Sequence, residues 1–388
     1  MHLWRILGVS VALALSHLPS GAALAIQQGA DYGLYKTSNL YNCSGTSLIS
    51  NVTVQNSADT LPQIEPLSNA GWEQWDFFMH GTFPIIMRWS QGDQSDCDSA
   101  PDMGKIDVAI LDVNGTDVRA TLVGPLTYKN DAGVKSISIG GNTFHWDNST
   151  LWYNLTLSVD GYSMVLNTYS AMLDTFHPNV GYYNGRLSSV GDPALFGSVP
   201  VTRGQSAGYL VTPDKQNITL DGLTVLKHMF SEKALPSYIN KYSSAVVWGY
   251  STGFYDSHVF FQIDENNGTV HEAVYLARAI QTPEAKTIFQ STYGIYAVTD
   301  DTALYHLTIN EGLQTINATF PGCSAGNNIS YGFNLTLAGV LGEFTDLGGG
   351  KTTYYALNGT TTAPYGGTIA NGTVSGAFEV YQAPPSKQ

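Results

Sequence analysis

The stretch from Gly71 to Gly92, GWEQWDFFMHGTFPIIMRWSQG, predicts the unit around which the chain folds. Side chains alternate between the two sides of a β-strand, so Trp72, Asp76 and Phe78 share one side while Trp75 lies on the other. Neither side has the polar pattern of a solvent-facing strand. We therefore expect a β-hairpin that is enclosed on both faces, either lining a ligand cavity or forming an ordinary aromatic core.

The returning strand of this hairpin carries its one cation, Arg88. A buried cation among aromatic side chains needs a partner, and Asp76 is the nearest acid that can share its face. We expect the two residues to form an ion pair.

Turn signals recur along the rest of the chain between short runs rich in Val, Ile, Thr, Tyr and Phe. Asn-Gly and Asp-Gly pairs tolerate the positive φ of tight hairpins, so they predict an antiparallel, all-β fold. They occur at Asn114-Gly115, Asp160-Gly161, Asn184-Gly185, Asp221-Gly222, Asn267-Gly268, Asn358-Gly359 and Asn371-Gly372. The only helices we expect are brief, over 235–241 and 284–290.

The chain is long enough for two domains, and a boundary near residue 235 separates two similar runs of strands. The strand that contains Trp248 opens the second run much as the Trp72/Trp75 strand opens the first. We expect two β-barrel domains side by side, 26–235 and 236–388, after a signal peptide at 1–25. Closed barrels leave a central space, so a pocket is expected inside or between them.

The N-terminus has the pattern of a secretory signal peptide. Arg5 precedes an apolar run over 6–15, and Ala23-Leu24-Ala25 supplies the small residues of a cleavage site. The apolar run is too short to span a bilayer, and no later segment is long and apolar enough. We expect a secreted or lumenal protein without a membrane span after cleavage.

Charge and glycosylation motifs agree with that location. The formal net charge of -14 argues against nucleic acid and anionic membrane surfaces as partners. Only 12% of residues are charged, so attached sugar is expected to contribute to solubility. Twelve Asn-x-Ser/Thr sequons are candidate glycosylation sites: Asn42, Asn51, Asn114, Asn148, Asn154, Asn217, Asn267, Asn317, Asn328, Asn334, Asn358 and Asn371.

The three cysteines allow one disulfide. Cys43 and Cys97 are expected to pair in an oxidising compartment and to stabilise the first half by roughly 3 to 4 kcal/mol. Cys323 is then left as a buried thiol, although its pairing with either of the others stays open.

Residues for metal or hydrolytic chemistry are sparse. The nine histidines form no H-E-x-x-H or H-x-H motif, so no metal site is expected. A secreted glycosidase stays an alternative, because it needs only two suitably spaced carboxylates. The candidates for such a pair are Glu73, Asp76, Asp256, Glu272 and Glu343. The 23 tyrosines and 7 tryptophans instead favour an apolar cavity edged with phenol and indole donors, or simply a Tyr-rich β core.

Taken in order, the signal peptide and three strands resemble the tandem lipocalin-like family, which includes hydroxyneurosporene-synthase-like proteins and fungal Diels-Alderases. The strands are Trp72-Glu73-Gln74-Trp75-Asp76-Phe77, the run from Asp221-Gly222 to His228, and Trp248-Gly249-Tyr250. The many sequons make the chain most similar to the secreted hetero-Diels-Alderases of tropolone sesquiterpenoid biosynthesis. Many family members have further histidines near the position of His228, and their absence here disfavours hydratase-type chemistry.

The resemblance implies a cofactor-independent pericyclase. Such an enzyme joins a tropolone ortho-quinone methide, formed in the same pocket by loss of water, to an alkene of a humulene-type macrocycle. A carrier for a hydrophobic small molecule is the alternative from another class, since it uses the same barrels without needing donors at a reacting oxygen.

Candidate site residues follow from this implied reaction. Arg88, Lys351 or Tyr250 would donate to the tropolone oxygens, and His228 or Asp76 would exchange the proton of the dehydration. The expected walls of the pocket are Trp72, Trp75, Phe78 and Trp248.

Overall fold

The computed structural model describes residues 53–54, 72–92, 103–131, 134–147, 152–170, 174–175, 195–231, 239–251, 254–266, 268, 270–281, 287–288, 295–298, 306–310, 314–324, 327–345, 350–365 and 368–384. Every regular element in these residues is a β-strand, which confirms the all-β prediction. Short polar turns connect many of the strands. Asn114 and Gly115 have φ of 52° and 80°, and Asp160 and Gly161 have φ of 49° and 82°, the conformation that these pairs were expected to adopt.

The first unit is a closed antiparallel barrel. In chain order the strands of this half are β1 (Thr53–Val54), β2 (Trp72–Gly81), β3 (Ile85–Gly92), β4 (Met103–Val113), β5 (Thr116–Asp131), β6 (Val134–Ile139), β7 (Asn142–Asp147), β8 (Trp152–Val159), β9 (Tyr162–Ser170), β10 (Asp174–Thr175), β11 (Leu195–Val211) and β12 (Asn217–Ser231). Strands β2 to β9 follow one another around the barrel, and β11 and β12 close it between β9 and β2. Strands β1 and β10 pair separately.

The second unit is an antiparallel sheet of ten strands. They are β13 (Ile239–Ser251), β14 (Phe254–Glu265), β15 (Val270–Gln281), β16 (Thr287–Ile288), β17 (Ile295–Val298), β18 (His306–Asn310), β19 (Thr315–Ser324), β20 (Asn327–Thr345), β21 (Lys351–Tyr365) and β22 (Thr368–Gln382). Their order is β16-β15-β14-β13-β22-β21-β20-β19-β18, with β17 beside β15. Among the described strands this path stays open, so the second unit is a partial barrel.

Both predicted helices are wrong where the structure describes them. Residues 239–241 begin β13, where Lys241 pairs with both β14 and β22, and 287–288 form β16. Pairing within a large sheet outweighs the weak local helix signal. The first sheet ends at Ser231 and the second begins at Ile239, so the expected boundary falls between them, outside the described residues.

The period-two alternation of the strands produces two separate cores. Every strand of the barrel contributes to one cluster, which therefore fills the barrel interior. A second cluster forms where the outer face of β2, β3, β4, β11 and β12 packs against β13, β14, β20, β21 and β22. We call this contact the seam. It buries Phe78, Ile86, Val225 and Met229 of the barrel against Tyr242, Val246, Trp248, Phe344 and Tyr354 of the second unit.

Candidate functional site

A row of alternating charges crosses the barrel on the face that enters the seam. Cross-strand partners lie on the same face of a sheet, and the register pairs Lys227 with Asp76, Asp76 with Arg88, and Arg88 with Asp107. The four side chains thus belong to β12, β2, β3 and β4. Each is 5% exposed or less. The expected ion pair is present, with Arg88 Nε 3.4 Å from Asp76 Oδ1.

The second unit adds an acid to this row from across the seam. Glu379 of β22 pairs with Lys227, and its Oε1 lies 3.4 Å from Arg88 Nη2. Tyr242 Oη donates to Glu379 Oε1 at 2.7 Å, and Ser244 Oγ donates to Oε2 at 3.0 Å. The Glu379 carboxylate therefore connects Arg88 and Lys227 of the barrel to the second sheet.

Tyr354 completes the set. Its hydroxyl donates to Asp76 Oδ1 at 2.7 Å and accepts from Arg88 Nη2 at 3.0 Å. The Arg88 guanidinium also stacks over the rings of Phe344 and Tyr354, with its carbon 5.6 and 5.5 Å from their centroids. We define the seam cluster as Asp76, Arg88, Lys227, Tyr354 and Glu379.

The seam cluster contains two cations and two carboxylates, so it is neutral overall when all four are ionised, and Asp107 is compensated separately by Lys105, whose Nζ lies 2.9 Å from its Oδ2. Charges so deeply buried are tolerated only when they compensate one another. Burial lowers the pKa of Lys227 to about 8, although the nearby Asp76 opposes this shift. Burial alone would raise the pKa of Asp76, but Lys227 and Arg88 outweigh it and hold that pKa below its ordinary value. Burial raises the pKa of Tyr354 well above its ordinary value.

A small cavity lies beside the cluster. Its volume is about 20 Å³, which is room for one water-sized group. Polar and apolar residues both line it, although its surface is mainly apolar: the polar ones are Asp76, Lys227, Ser244, Tyr354 and Glu379, and the apolar ones are Phe78, Val225, Val246 and Ala377.

A separate polar pair lies on the opposite face of β2, inside the barrel. His228 Nε2 is 2.6 Å from Glu73 Oε1, and Gln91 Nε2 donates to Glu73 Oε2 at 2.5 Å. The His228 ring stacks on Trp75 with 5.0 Å between centroids. His228 and Asp76, the two alternatives expected to exchange the proton of the dehydration, lie on opposite faces of the sheet. Asp76 is the cross-strand partner of Lys227, and the next residue of β12, His228, faces the other way.

Among the residues that the structure describes, the barrel interior shows no hollow of the expected kind. Trp75 and Trp89 are each 1% exposed and Phe144 and Tyr153 fill the same interior, so the described side chains leave this space packed. Trp75 is therefore part of this packed core. Glu73 and Asp76 also lie on opposite faces of one strand, so they do not form a carboxylate pair of the glycosidase kind.

The remaining predicted residues lie in different places. Phe78 and Trp248 stack across the seam with 5.7 Å between ring centroids. Lys351 is about half exposed and pairs with Glu343 at 2.7 Å on the surface, away from the seam cluster. Trp72 is in β2 and Tyr250 in β13, but their side chains are outside the described set. The same holds for Asp256 and Glu272, while Cys43 and Cys97 fall outside the described residues altogether.

Sequence reasoning missed Lys227, Tyr354 and Glu379. The signal was available for two of them, since Lys227 stands alone in the apolar run LTVLKHMF and Glu379 in AFEVY. A single charge in an otherwise apolar strand indicates a buried, compensated charge. No such pattern marks Tyr354.

Two further observations concern metal binding and membrane spans. The described residues contain no group of three or more His, Cys, Asp or Glu side chains arranged to hold a metal ion. Within the same residues, no helix is long and apolar enough to cross a membrane.

The sequence matches no protein-family model and no curated protein. The fold nevertheless defines a class, because two packed antiparallel β units with this topology form the two-domain lipocalin-like fold.

Solved structures share this fold. The chain superimposes on CghA with a TM-score of 0.55 at 12% identity, covering 87% of this chain and 94% of CghA. CghA with Sch210972 gives 0.50 at 12% identity, with 87% and 97% covered. A putative AttH from Nitrosomonas europaea also gives 0.50 at 12% identity, with 86% and 100% covered. At this identity the likeness establishes the fold alone.

Proposed function

We propose that the protein is an enzyme of the pericyclase kind that binds an oxygen-bearing, otherwise hydrophobic substrate at the seam. The observation that carries this proposal is the buried seam cluster, whose charged side chains line a small and mainly apolar cavity together with Phe78, Val225 and Val246. Charged donors in a site without bulk water stabilise developing charge on a substrate oxygen more strongly than in solution.

The substrate class comes from the family resemblance. We propose a hydroxymethyl tropolone, which loses water to give an ortho-quinone methide, and a humulene-type alkene, which adds to it in a hetero-Diels-Alder reaction. The CghA structure with Sch210972 supports small-molecule binding by a protein of this fold, but it does not identify the ligand of this chain.

Lys227 is the best-placed acid for the dehydration. Its ammonium would protonate the departing hydroxyl, and Asp76 or Glu379 would accept the tropolone O–H proton, which then returns to the Lys227 amine. The products are the quinone methide and one water, a molecule of the size that the cavity holds. A pKa of about 8 for Lys227 suits a group that exchanges protons near neutral pH.

The cycloaddition itself needs no proton transfer. Arg88 and Tyr354 would donate to the oxygen of the oxa-diene, an interaction that contributes a few kcal/mol in a dry site. Alignment of the two reactants contributes more, on the order of 7 to 11 kcal/mol. Because the cavity now holds only a water-sized group, the two units must move apart at the seam to admit a two-ring substrate.

The test is to incubate the purified, secreted protein with a hydroxymethyl tropolone and humulene, and to measure the yield and stereoisomer ratio of the adduct. We expect an enantioenriched adduct from the wild type, and at least a tenfold lower rate for Lys227→Met and Arg88→Met. Lys129→Met and Arg119→Met alter exposed side chains and serve as matched controls with unchanged rates.

Two outcomes would contradict this proposal. Adduct formation at the rate and stereochemistry of buffer would favour the carrier, provided that the protein still binds either reactant. An active protein whose Lys227 and Arg88 variants, still folded by circular dichroism, retain the wild-type rate would exclude the seam cluster as the site.

A further inference from the structure

Four consecutive strands of the second unit each contain one N-x-T sequon. Asn317 is in β19, Asn334 in β20, Asn358 in β21 and Asn371 in β22. A strand returns to the same face every second residue, so the Asn and the Thr of each sequon occupy one face together. The function proposed above does not use any of these residues.

The register aligns three of these sequons across the sheet. Asn317 is directly opposite Asn334, and Asn334 is opposite Thr360, the threonine of the next sequon. Asn358 is in turn opposite Thr336, the threonine of the Asn334 sequon. The sequons of β19, β20 and β21 therefore lie side by side, and we call Asn317, Asn334, Thr336, Asn358 and Thr360 the sequon face.

Exposure distinguishes the members of the sequon face. Asn334, Thr336, Asn358 and Thr360 are exposed, whereas Asn317 is half-buried. The intervening residues on the opposite side of the sheet are apolar and buried, including Leu335 at 0% and Leu357 at 1% exposure. An oligosaccharide on Asn334 or Asn358 would consequently extend into solvent without disturbing the core.

We infer that the sequon face is an N-glycosylated surface, with Asn334 and Asn358 as its principal attachment sites. These two asparagines are diagonal neighbours on adjacent strands, roughly 7 to 8 Å apart, which leaves space for two sugar chains. Asn317 and Asn334 are direct cross-strand partners, about 4.5 to 5.5 Å apart. Two glycans on that pair would collide in the folded sheet, and because the sugar is attached before the sheet forms, chains that carry both should fail to fold; secreted molecules then carry a glycan on Asn317 only where Asn334 is unmodified.

This arrangement also places sugar at the margin of the seam. Tyr354, Ala356 and Asn358 follow one another on the same face of β21, from buried to exposed. Ala356 packs against the core of the seam, and the glycan on Asn358 would be attached two residues further along the strand. The sequon face is therefore directed to solvent and is closed to a protein partner.

Peptide mapping of the full chain secreted from a eukaryotic host tests the inference. The sequence has no Lys or Arg between Lys286 and Lys351, so trypsin leaves Asn317, Asn328 and Asn334 on one peptide. Enzymatic deglycosylation in heavy-oxygen water labels each asparagine that carried a glycan. Fragmentation of the peptide in the mass spectrometer then shows which of these asparagines were modified on the same molecule. We expect modified Asn334 and Asn358 in most molecules, and Asn317 modified only where Asn334 is not.

Two variants separate sequon loss from side-chain loss. Asn334→Gln removes the attachment atom, whereas Thr336→Ala removes the sequon and keeps Asn334. Both should turn Asn317 from a minor into a major site. Doubly modified Asn317/Asn334 peptides, an unchanged Asn317 occupancy in both variants, or secreted protein that carries no sugar on Asn334 and Asn358 would each overturn the inference.

Discussion

Lys227 is held in the seam with 5% of its surface exposed, between Asp76 of its own barrel and Glu379 of the opposite unit. Burial disfavours its charged form, while two carboxylates and the Ser244 hydroxyl, 2.8 Å away, favour it. The balance of these interactions sets the pKa of Lys227, and this pKa determines how the stability of the protein changes at alkaline pH.

Stability should therefore rise with pH above about 8 because of Lys227. Its pKa is about 8 in the folded state and 10.5 in the unfolded chain, so between these values the unfolded state binds more protons. The free energy of unfolding increases with pH wherever that is true. Lys227→Met should remove this contribution, which urea denaturation at several pH values between 8 and 10.5 would measure. A slope equal to that of wild type would contradict the assignment, and Lys129→Met, an exposed position, should keep the wild-type slope.

At the scale of elements, the β2–β3 hairpin determines which polar groups meet. Its seam face presents Asp76 and Arg88, and its interior face presents Glu73 to His228. The pairing of β2 with β12 fixes both arrangements, since it places Lys227 beside Asp76 and His228 beside Trp75. A shift of one residue in this pairing would exchange the two faces.

Gly81, at the end of β2, allows β12 to approach closely enough for this pairing. A Cβ at this position would lie 1.9 Å from the carbonyl oxygen of Asp221, closer than any real contact. Gly81→Ala should therefore displace β12 and cost about 2 to 3 kcal/mol, measured by urea denaturation. Gly141→Ala is the matched control, because a Cβ there meets nothing within 4 Å. Equal free energies of unfolding of the two variants would contradict this, because they would show that the end of β2 can move to accept the methyl group without destabilising the protein.

At the scale of the whole molecule, the seam joins a filled barrel to a partial barrel through apolar contacts around a charged centre. Glu379 is the acid through which the second unit meets both Arg88 and Lys227. Its removal leaves Arg88 and Lys227 with Asp76 as the one carboxylate of the seam cluster.

Glu379→Gln should destabilise the protein by about 3 to 5 kcal/mol, the usual cost of leaving a buried charge uncompensated. We expect a single calorimetric transition in the wild type and a lower, broader or divided transition in the variant, because the two units lose their charged contact. Glu343→Gln breaks a surface pair with Lys351 and should change stability by less than about 1 kcal/mol. Wild-type stability in Glu379→Gln would mean that the seam cluster does not hold the units together.

Features that depend on local periodicity could be predicted from the amino-acid sequence. Alternation and turn pairs were sufficient for the all-β fold, for the two faces of the hairpin and for the Arg88–Asp76 pair, whose members are only 12 residues apart. They could not distinguish a face that lines a cavity from one that packs, because the two have the same apolar pattern.

Two features depend on long-range packing: which face of the hairpin contacts the second unit, and which residues compensate the charges on that face. Glu379 reaches Lys227 across 152 residues of sequence, and Tyr354 reaches Asp76 across 278. Contacts of such separation arise from the closure of the barrel and the packing of the second sheet upon it, and no local pattern encodes them. The same closure packs the described part of the barrel interior with aromatic side chains such as Trp75 and Trp89, which is why the function proposed above is assigned to the seam.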